Sequence, residues 1–426
     1  MHIDKKVIKI VLIYFIIIFS FMSIGNMFRC VFDHSNRLTN ISYLVVFTAC
    51  LTGIAINKRV TRLSVIVFLI EVMYFLLYFI IKIRGRYIVG TAKSVVLVFL
   101  LMSVYFINLI YRNEEQLFFN AFSNIVCMVA AVSLFFWIFG SILNVLPGRT
   151  QVTYEWATMR RTCYTFRYIY YEIPVQSRLL PNGFRLFRNT AIFPESPGSA
   201  SFFAYGIMNE LFFKNKKNNR RITLLLFALL STFSTKGILI LIEVAVYGIW
   251  VRFMKDKHSL FSGLLLILSP ILLLCFGSFA YLIVVQKAGT YSYMLRADDL
   301  YSTLKVWRNN PIFGTGYSTD EIIENFTLGR NNNGLSMGIA VQLAKGGLYM
   351  IMIYFIPMLM LLINKKYIKD FVDRLVIVII LVTEFYISNV ATSMVFIMIM
   401  CIVIGIVIDF DRVPRIGESG IMCYDT

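Results

Sequence analysis

Apolar residues in this chain fall into long unbroken blocks, not into the two-residue alternation of strands or the one-sided stripe of a soluble helix. The blocks are 7–28, 41–57, 63–81, 94–111, 117–146, 200–213, 222–234, 236–251, 259–286, 337–363, 374–389 and 391–409. Most are close to the ~20 residues that carry a helix across a bilayer at 1.5 Å per residue. They predict an all-α polytopic membrane protein of about 12 transmembrane helices, with 1–426 as a single integral membrane domain. The first block has a short charged start (Asp4, Lys5, Lys6, Lys9). Its apolar run is longer than a signal peptide's ~7–15 residues, with no small-residue cleavage site, and it reads as a retained helix.

Charge orients the blocks. The linkers 214–221 (KNKKNNRR) and 252–258 (RFMKDKH) are strongly basic, and Lys and Arg collect on the cytoplasmic side. One helix between them would put them on opposite faces, whereas a hairpin turning at 234–237 puts both inside. It also keeps 365–374 (KKYIKDFVDR) inside and leaves both termini cytoplasmic. Against the rule, the loop 82–93 (Lys82, Arg84, Arg86, Lys93) falls outside. Blocks 200–213, 222–234 and 236–251 are also short, which is tolerated where protein or a water-filled recess surrounds the helix ends. That places a recess at the outer face around 196–236.

Two long loops then lie outside, 147–199 and 287–336. The first has seven arginines (149, 160, 161, 167, 178, 185, 188) and no lysine, interleaved with Tyr154, Trp156, Tyr164, Phe166, Tyr168, Tyr170 and Tyr171. The arginine fork binds phosphate in two places at once, and aromatic rings suit sugars. Arg160, Arg161, Arg178 and Arg185 are accordingly expected to bind an anionic, sugar-bearing ligand, the alternative being a solvated loop with incidental arginines.

The composition, 58% hydrophobic and 15% charged, excludes a soluble enzyme. The net charge of +18 serves orientation first and does not imply nucleic-acid binding. No P-loop, strand-borne GxGxxG, HExxH or nucleophile elbow is present. The glycines of 313–317 (FGTGY) lie in an external loop, and His2, His34 and His258 are scattered. Seven cysteines show no metal-ligand spacing, so neither a metal nor a cofactor is expected. Cys30 and Cys163 could face the same side, which leaves a disulfide between them open. Glu71, Glu243 and Glu384 lie within blocks, where a carboxylate is costly and faces a bundle interior or cavity. Glu243 follows Lys236 by two helical turns, so the two could share a polar seam.

Three stretches resemble the bacterial O-antigen ligase and polymerase superfamily, which includes capsule polymerases. They are 188–203 (RNTAIFPESPGSASFF), 230–239 (LSTFSTKGIL), and Arg296 through Trp307 to 310–317 (NPIFGTGY). Their order and spacing cover 185–347. The resemblance implies transfer of a glycan from undecaprenyl diphosphate at the outer face of the cytoplasmic membrane. Arg188 and Arg296 would stabilise the departing diphosphate, Lys236 would bind it, and Glu195 would act as base or orient the acceptor hydroxyl. Trp307 would line the substrate site, with a structural turn as its other reading. The partners implied are undecaprenyl-diphosphate-linked oligosaccharide, membrane lipid and a chain-length regulator protein.

One departure separates the family's branches. Ligases carry a His, commonly His-Asn, in the outer loop that here reads 331–336 (NNNGLS). Its absence favours a repeat-unit polymerase over a ligase. A flippase of the lipid-linked unit is the non-enzymatic alternative, and it would spread its arginines along a path between spans.

Overall fold

The structure, a computed structural model, describes residues 4–23, 25–32, 37–57, 60–82, 91–156, 159–174, 177–179, 185–255, 291–317, 320–327, 335, 337–391 and 393–408. Every predicted block coincides with a helix except 259–286, which lies outside the described residues. The helices are α1 (Lys5–Ser23), α2 (Met27–Phe32), α3 (Arg37–Ile56), α4 (Arg62–Lys82), α5 (Thr91–Tyr111), α6 (Glu115–Phe135), α7 (Ser196–Met208), α8 (Asn219–Ser231) and α9 (Thr235–Lys255). They continue with α10 (Tyr291–Asn309), α11 (Asp320–Glu324), α12 (Gly338–Ile363), α13 (Phe371–Ile387) and α14 (Met394–Ile408). Among the described residues five helices are long and apolar enough to cross a membrane: α1, α3, α4, α6 with its π-helical extension to Ile142, and α12. The chain is a multi-pass α-helical membrane protein.

Burial follows from which helices face lipid and which face protein. On α4, Leu69, Ile70, Met73 and Ile80 are 55–66% exposed, a surface that water would penalise and hydrocarbon does not. By contrast, every residue of α14 from Met394 to Val407 is buried. The short α7 is enclosed by protein along residues 199–208, which is how a 13-residue helix is accommodated. Glu71, buried on α4, accepts a hydrogen bond from Ser103 Oγ of α5 at 2.5 Å, so its carboxylate faces the bundle interior.

The first long loop is folded, where the sequence suggested only a loop. It forms a three-stranded sheet of β1 (Arg149–Trp156), β2 (Met159–Phe166) and β3 (Tyr170–Glu172), and a hairpin of β4 (Ser177–Leu179) and β5 (Arg185–Phe187), all pairs antiparallel. These strands seat on the end of α6. A Cβ at Gly140 would stand 2.8 Å from the Phe166 ring, Phe136 stacks on Tyr170, and Trp137 Nε1 donates to the Phe187 carbonyl at 2.8 Å. Cys30 and Cys163 are buried in one small cluster with Tyr154 and Tyr171, both as free thiols. Among the described residues the second long loop contains two helices, α10 and α11.

Backbone contacts bring the three stretches of the resemblance onto the bundle. Asn189 N donates to the Ser231 carbonyl at 3.0 Å and its side-chain amide to Ser231 Oγ at 2.9 Å, so the first stretch is tied to the α8–α9 turn that forms the second. That turn is capped by Ser234 Oγ, which accepts from Gly237 N at 2.9 Å.

The third stretch docks into a break in α12, where Gly347 has φ +66°. Thr315 N and Gly316 N donate to the carbonyls of Ala344 and Lys345, each at 2.8 Å. In return the Pro311 and Ile312 carbonyls accept from Leu348 N at 3.0 Å and Tyr349 N at 2.8 Å. The backbone groups freed by the break are thus satisfied by residues 311–316, as helix interruptions at membrane depth require. Gly314 also has positive φ, +59°, and a Cβ there would overlap the Lys345 carbonyl.

Candidate functional site

A recess of about 220 Å³ opens between α7, the start of α9, the α1–α2 turn and the 388–395 connector. Its walls are apolar at Phe21, Phe193, Phe202 and Val390, and polar at Glu195, Ser201, Tyr205, Lys236, Ser388 and Asn389. The sequence builds it economically. Glu195 caps α7 in an extended conformation, Pro197 sits in the first turn, and Pro197, Ser201 and Tyr205 recur at four-residue steps on one face. The first turns of α7, α9 and α14 all border the recess, through Gly198, Lys236 and Val395. Three helix N-termini therefore present partial positive charge to one space.

Lys236 is the centre of the site. It is 2% exposed, and its ammonium donates to Glu384 Oε2 at 3.0 Å, to Ser388 Oγ at 2.9 Å and to Ser201 Oγ. Ser201 Oγ in turn donates to Glu384 Oε2 at 2.6 Å. An ammonium has three donors, and all three are engaged. The charge of Lys236 therefore reaches the recess through space and through the two hydroxyls it fixes. Glu384 stands behind it, wholly buried, so the pair presents its positive end to the recess.

Of the residues singled out from the sequence, Glu195 and Lys236 line the recess, and Arg296 of α10 interacts electrostatically with both. Burial lowers the Arg296 guanidinium from its ordinary value, opposed by the carboxylates of Glu195 and Asp299. Arg188 is half-buried next to Asn189 and is not among the recess-lining residues. Arg160 and Arg161 lie on β2 opposite Glu155 and Tyr154. Arg178 and Arg185 lie on the β4–β5 hairpin opposite Leu186 and Leu179. Trp307 Nε1 donates to the Pro311 carbonyl at 2.9 Å and so braces the docked FGTGY segment.

Glu243 does not meet Lys236. Its Oε1 accepts from Thr383 Oγ1 at 2.6 Å, so both α9 residues face α13, each with its own partner. Sequence reasoning had no means to pair Lys236 with Glu384. It also passed over Ser201 and Tyr205, although their spacing from Pro197 on one helical face was a usable signal.

The fold and this site define a multi-pass membrane protein with a small, cation-flanked recess at the N-termini of three helices. Comparison with protein-family models, with curated proteins and with solved structures finds no match to the chain.

Proposed function

We propose that this protein polymerises lipid-linked oligosaccharide repeat units, moving the growing glycan from undecaprenyl diphosphate onto a new lipid-linked unit at the outer face of the bacterial cytoplasmic membrane. The observation that carries this reading is that Glu195 and Lys236 line one recess and that the Arg296 guanidinium interacts electrostatically with both. They come from three stretches separate in sequence, each of which resembles the same superfamily.

The chemistry follows from the donor. The acceptor hydroxyl attacks the anomeric carbon, the bond from that carbon to the phosphate oxygen breaks, and the electron pair leaves with the diphosphate. Charge develops on the diphosphate, where Arg296, Lys236 and the helix N-termini of α7, α9 and α14 are already fixed in place. Glu195 interacts with Arg296. An arriving diphosphate competes for that guanidinium and releases the Glu195 carboxylate to take the acceptor proton.

Deletion of the protein tests the reading through the length profile of the surface glycan. Loss of long chains with single repeats retained is the expected result. Loss of all attached glycan would favour a ligase or a flippase instead.

A further inference from the structure

An exposed aromatic patch forms where α2 meets the β2–β3 turn. Phe28 and Phe32 of α2 and Tyr168 and Ile169 of the turn are 49–53% exposed. The rings make one continuous surface, with centroids 4.9 Å apart for Phe28 and Phe32 and 5.4 Å for Phe32 and Tyr168. The other side of α2 is taken up by protein. Met27 and Cys30 are buried against Tyr154, Cys163 and Tyr171 of the sheet, while Phe28 and Phe32, one turn apart, share the outward face.

Chain connectivity sets the height of this patch. α2 starts four residues after α1 ends, and α3 starts five residues after α2 ends. Both neighbours are long and apolar enough to cross a membrane. At ~3.5 Å per extended residue the two links reach at most ~14 and ~18 Å. α2 therefore stays at the surface where α1 and α3 emerge. The bend into α2 is also fixed, because the Asn26 amide donates to the Met22 carbonyl at 3.0 Å and its Oδ1 accepts from Arg29 N at 2.9 Å. Exposed apolar side chains continue along both helices, at Phe15 and Ile18 of α1 and Ile41 and Leu44 of α3.

The turn adopts a conformation its residues do not favour. Ile169 N donates to the Phe166 carbonyl at 3.0 Å, closing a turn whose central residues, Arg167 and Tyr168, have φ of +49° and +59°. Asn-Gly suits such a turn, whereas Arg and Tyr are strained in it. What they supply is an exposed guanidinium and an amphipathic ring beside two phenyl rings. Water disfavours a contiguous apolar patch of this kind. At a membrane interface aromatic rings settle at headgroup level, and a cation beside them meets lipid phosphate.

We propose that α2 and the β2–β3 turn form one interfacial anchor, with Phe28, Phe32, Tyr168 and Ile169 entering the boundary between lipid headgroups and acyl chains. The partner is the lipid surface itself, and the sheet over 149–172 is seated on the membrane instead of standing in water. The α1–α2 turn is also a wall of the recess, through Phe21 and Gly25. The anchor holds that wall at the level where a ligand can arrive along the bilayer. It is independent of what the protein catalyses.

The test uses the full-length protein in phosphatidylethanolamine–phosphatidylglycerol vesicles at low protein-to-lipid ratio, with unfolding temperature as the check on fold. Tyr168→Trp and Ile169→Trp each add an emitter within the patch, and the wild type supplies the background emission. Thr153→Trp is the control, since Thr153 is exposed on β1 between Val152 and Tyr154, which pack toward α2. Lipids brominated near the headgroup end of their acyl chains should remove most of the added emission at 168 and 169, and aqueous iodide should leave it. The emitter at 153 should behave the opposite way. Iodide quenching at 168 and 169 as strong as at 153, with no effect of brominated lipid, would overturn the anchor. Shielding from both quenchers would overturn it as well, because protein, such as a second copy of this chain, would then cover the patch.

Discussion

The ammonium of Lys236 stands 3.0 Å from Oε2 of Glu384, joining the start of α9 to the end of α13 across 148 residues of sequence. Both side chains are buried, so each is the other's compensation for lost hydration. Removing one partner of such a pair strands a charge and costs about 3–5 kcal/mol, whereas an apolar pair of similar volume is close to neutral. Lys236→Met and Glu384→Leu should each destabilise by that amount, and the double variant by clearly less than their sum. Denaturant unfolding in detergent measures all three.

The break in α12 gives a sharper steric prediction. Gly314 and Gly347 both have positive φ, and a Cβ on either would overlap backbone of the other segment, at the Lys345 and Ile312 carbonyls respectively. Gly314→Ala and Gly347→Ala should each prevent accumulation of folded protein. Gly248 on α9 has nothing within 4 Å of an added Cβ. Gly248→Ala should be tolerated or should stabilise by up to about 1 kcal/mol, because alanine suits a helix better. Membrane yield and unfolding temperature of the three variants decide this.

The folded loop between α6 and α7 should respond to pH. Glu172 on β3 pairs with Arg149 on β1 at 2.6 Å. Burial raises its carboxyl above the ordinary 4.5, and Ser141 and Arg149 only partly oppose that. The native state then binds the proton more tightly than the unfolded one. The contribution to stability is therefore full below pH 4.5 and is lost as pH rises through the raised value. Amide exchange in 149–172, corrected for intrinsic rates, should show protection falling across that window. Glu172→Gln should flatten the response.

Orientation is checked by fusions. A reporter active only outside the cytoplasm should be active after Gln176, beside the β4 strand, and silent after Lys217, in the basic linker before α8. Opposite signals would move the recess to the inner face and remove its access to a lipid-linked donor.

The apolar blocks made the helices legible because a lipid-facing or bundle-facing helix needs no periodic pattern, only length. The α8–α9 hairpin was legible from the two basic linkers alone. The β-sheets in 147–199 were not. Their sequence reads as arginines and tyrosines, and what fixes them is packing on Gly140, Phe136 and Trp137 at the end of α6. The helix α10 was missed because Arg296, Asp298 and Asp299 obscure its apolar positions. At the site, Glu195, Lys236 and Arg296 could be named from the sequence. The recess that Glu195 and Lys236 share and the Glu384 partner of Lys236 depend on contacts that no local spacing encodes. Arg188, expected to act on the same diphosphate as Arg296, is not among the recess-lining residues, and its neighbour Asn189 ties this stretch to the α8–α9 turn.

The central claim is that Arg296 stabilises a departing diphosphate at this recess, and turnover of lipid-linked repeat units by Arg296→Ala tests it most directly. Loss of a charge-assisted contact made in the transition state is worth about 2–4 kcal/mol, or roughly 30- to 1,000-fold in rate. Arg296→Lys keeps the charge without the planar fork and should recover only part of the activity. The account predicts a fall of that size in Arg296→Ala, with insertion and unfolding temperature matching the wild type. A normal glycan ladder from a normally folded Arg296→Ala protein would contradict it.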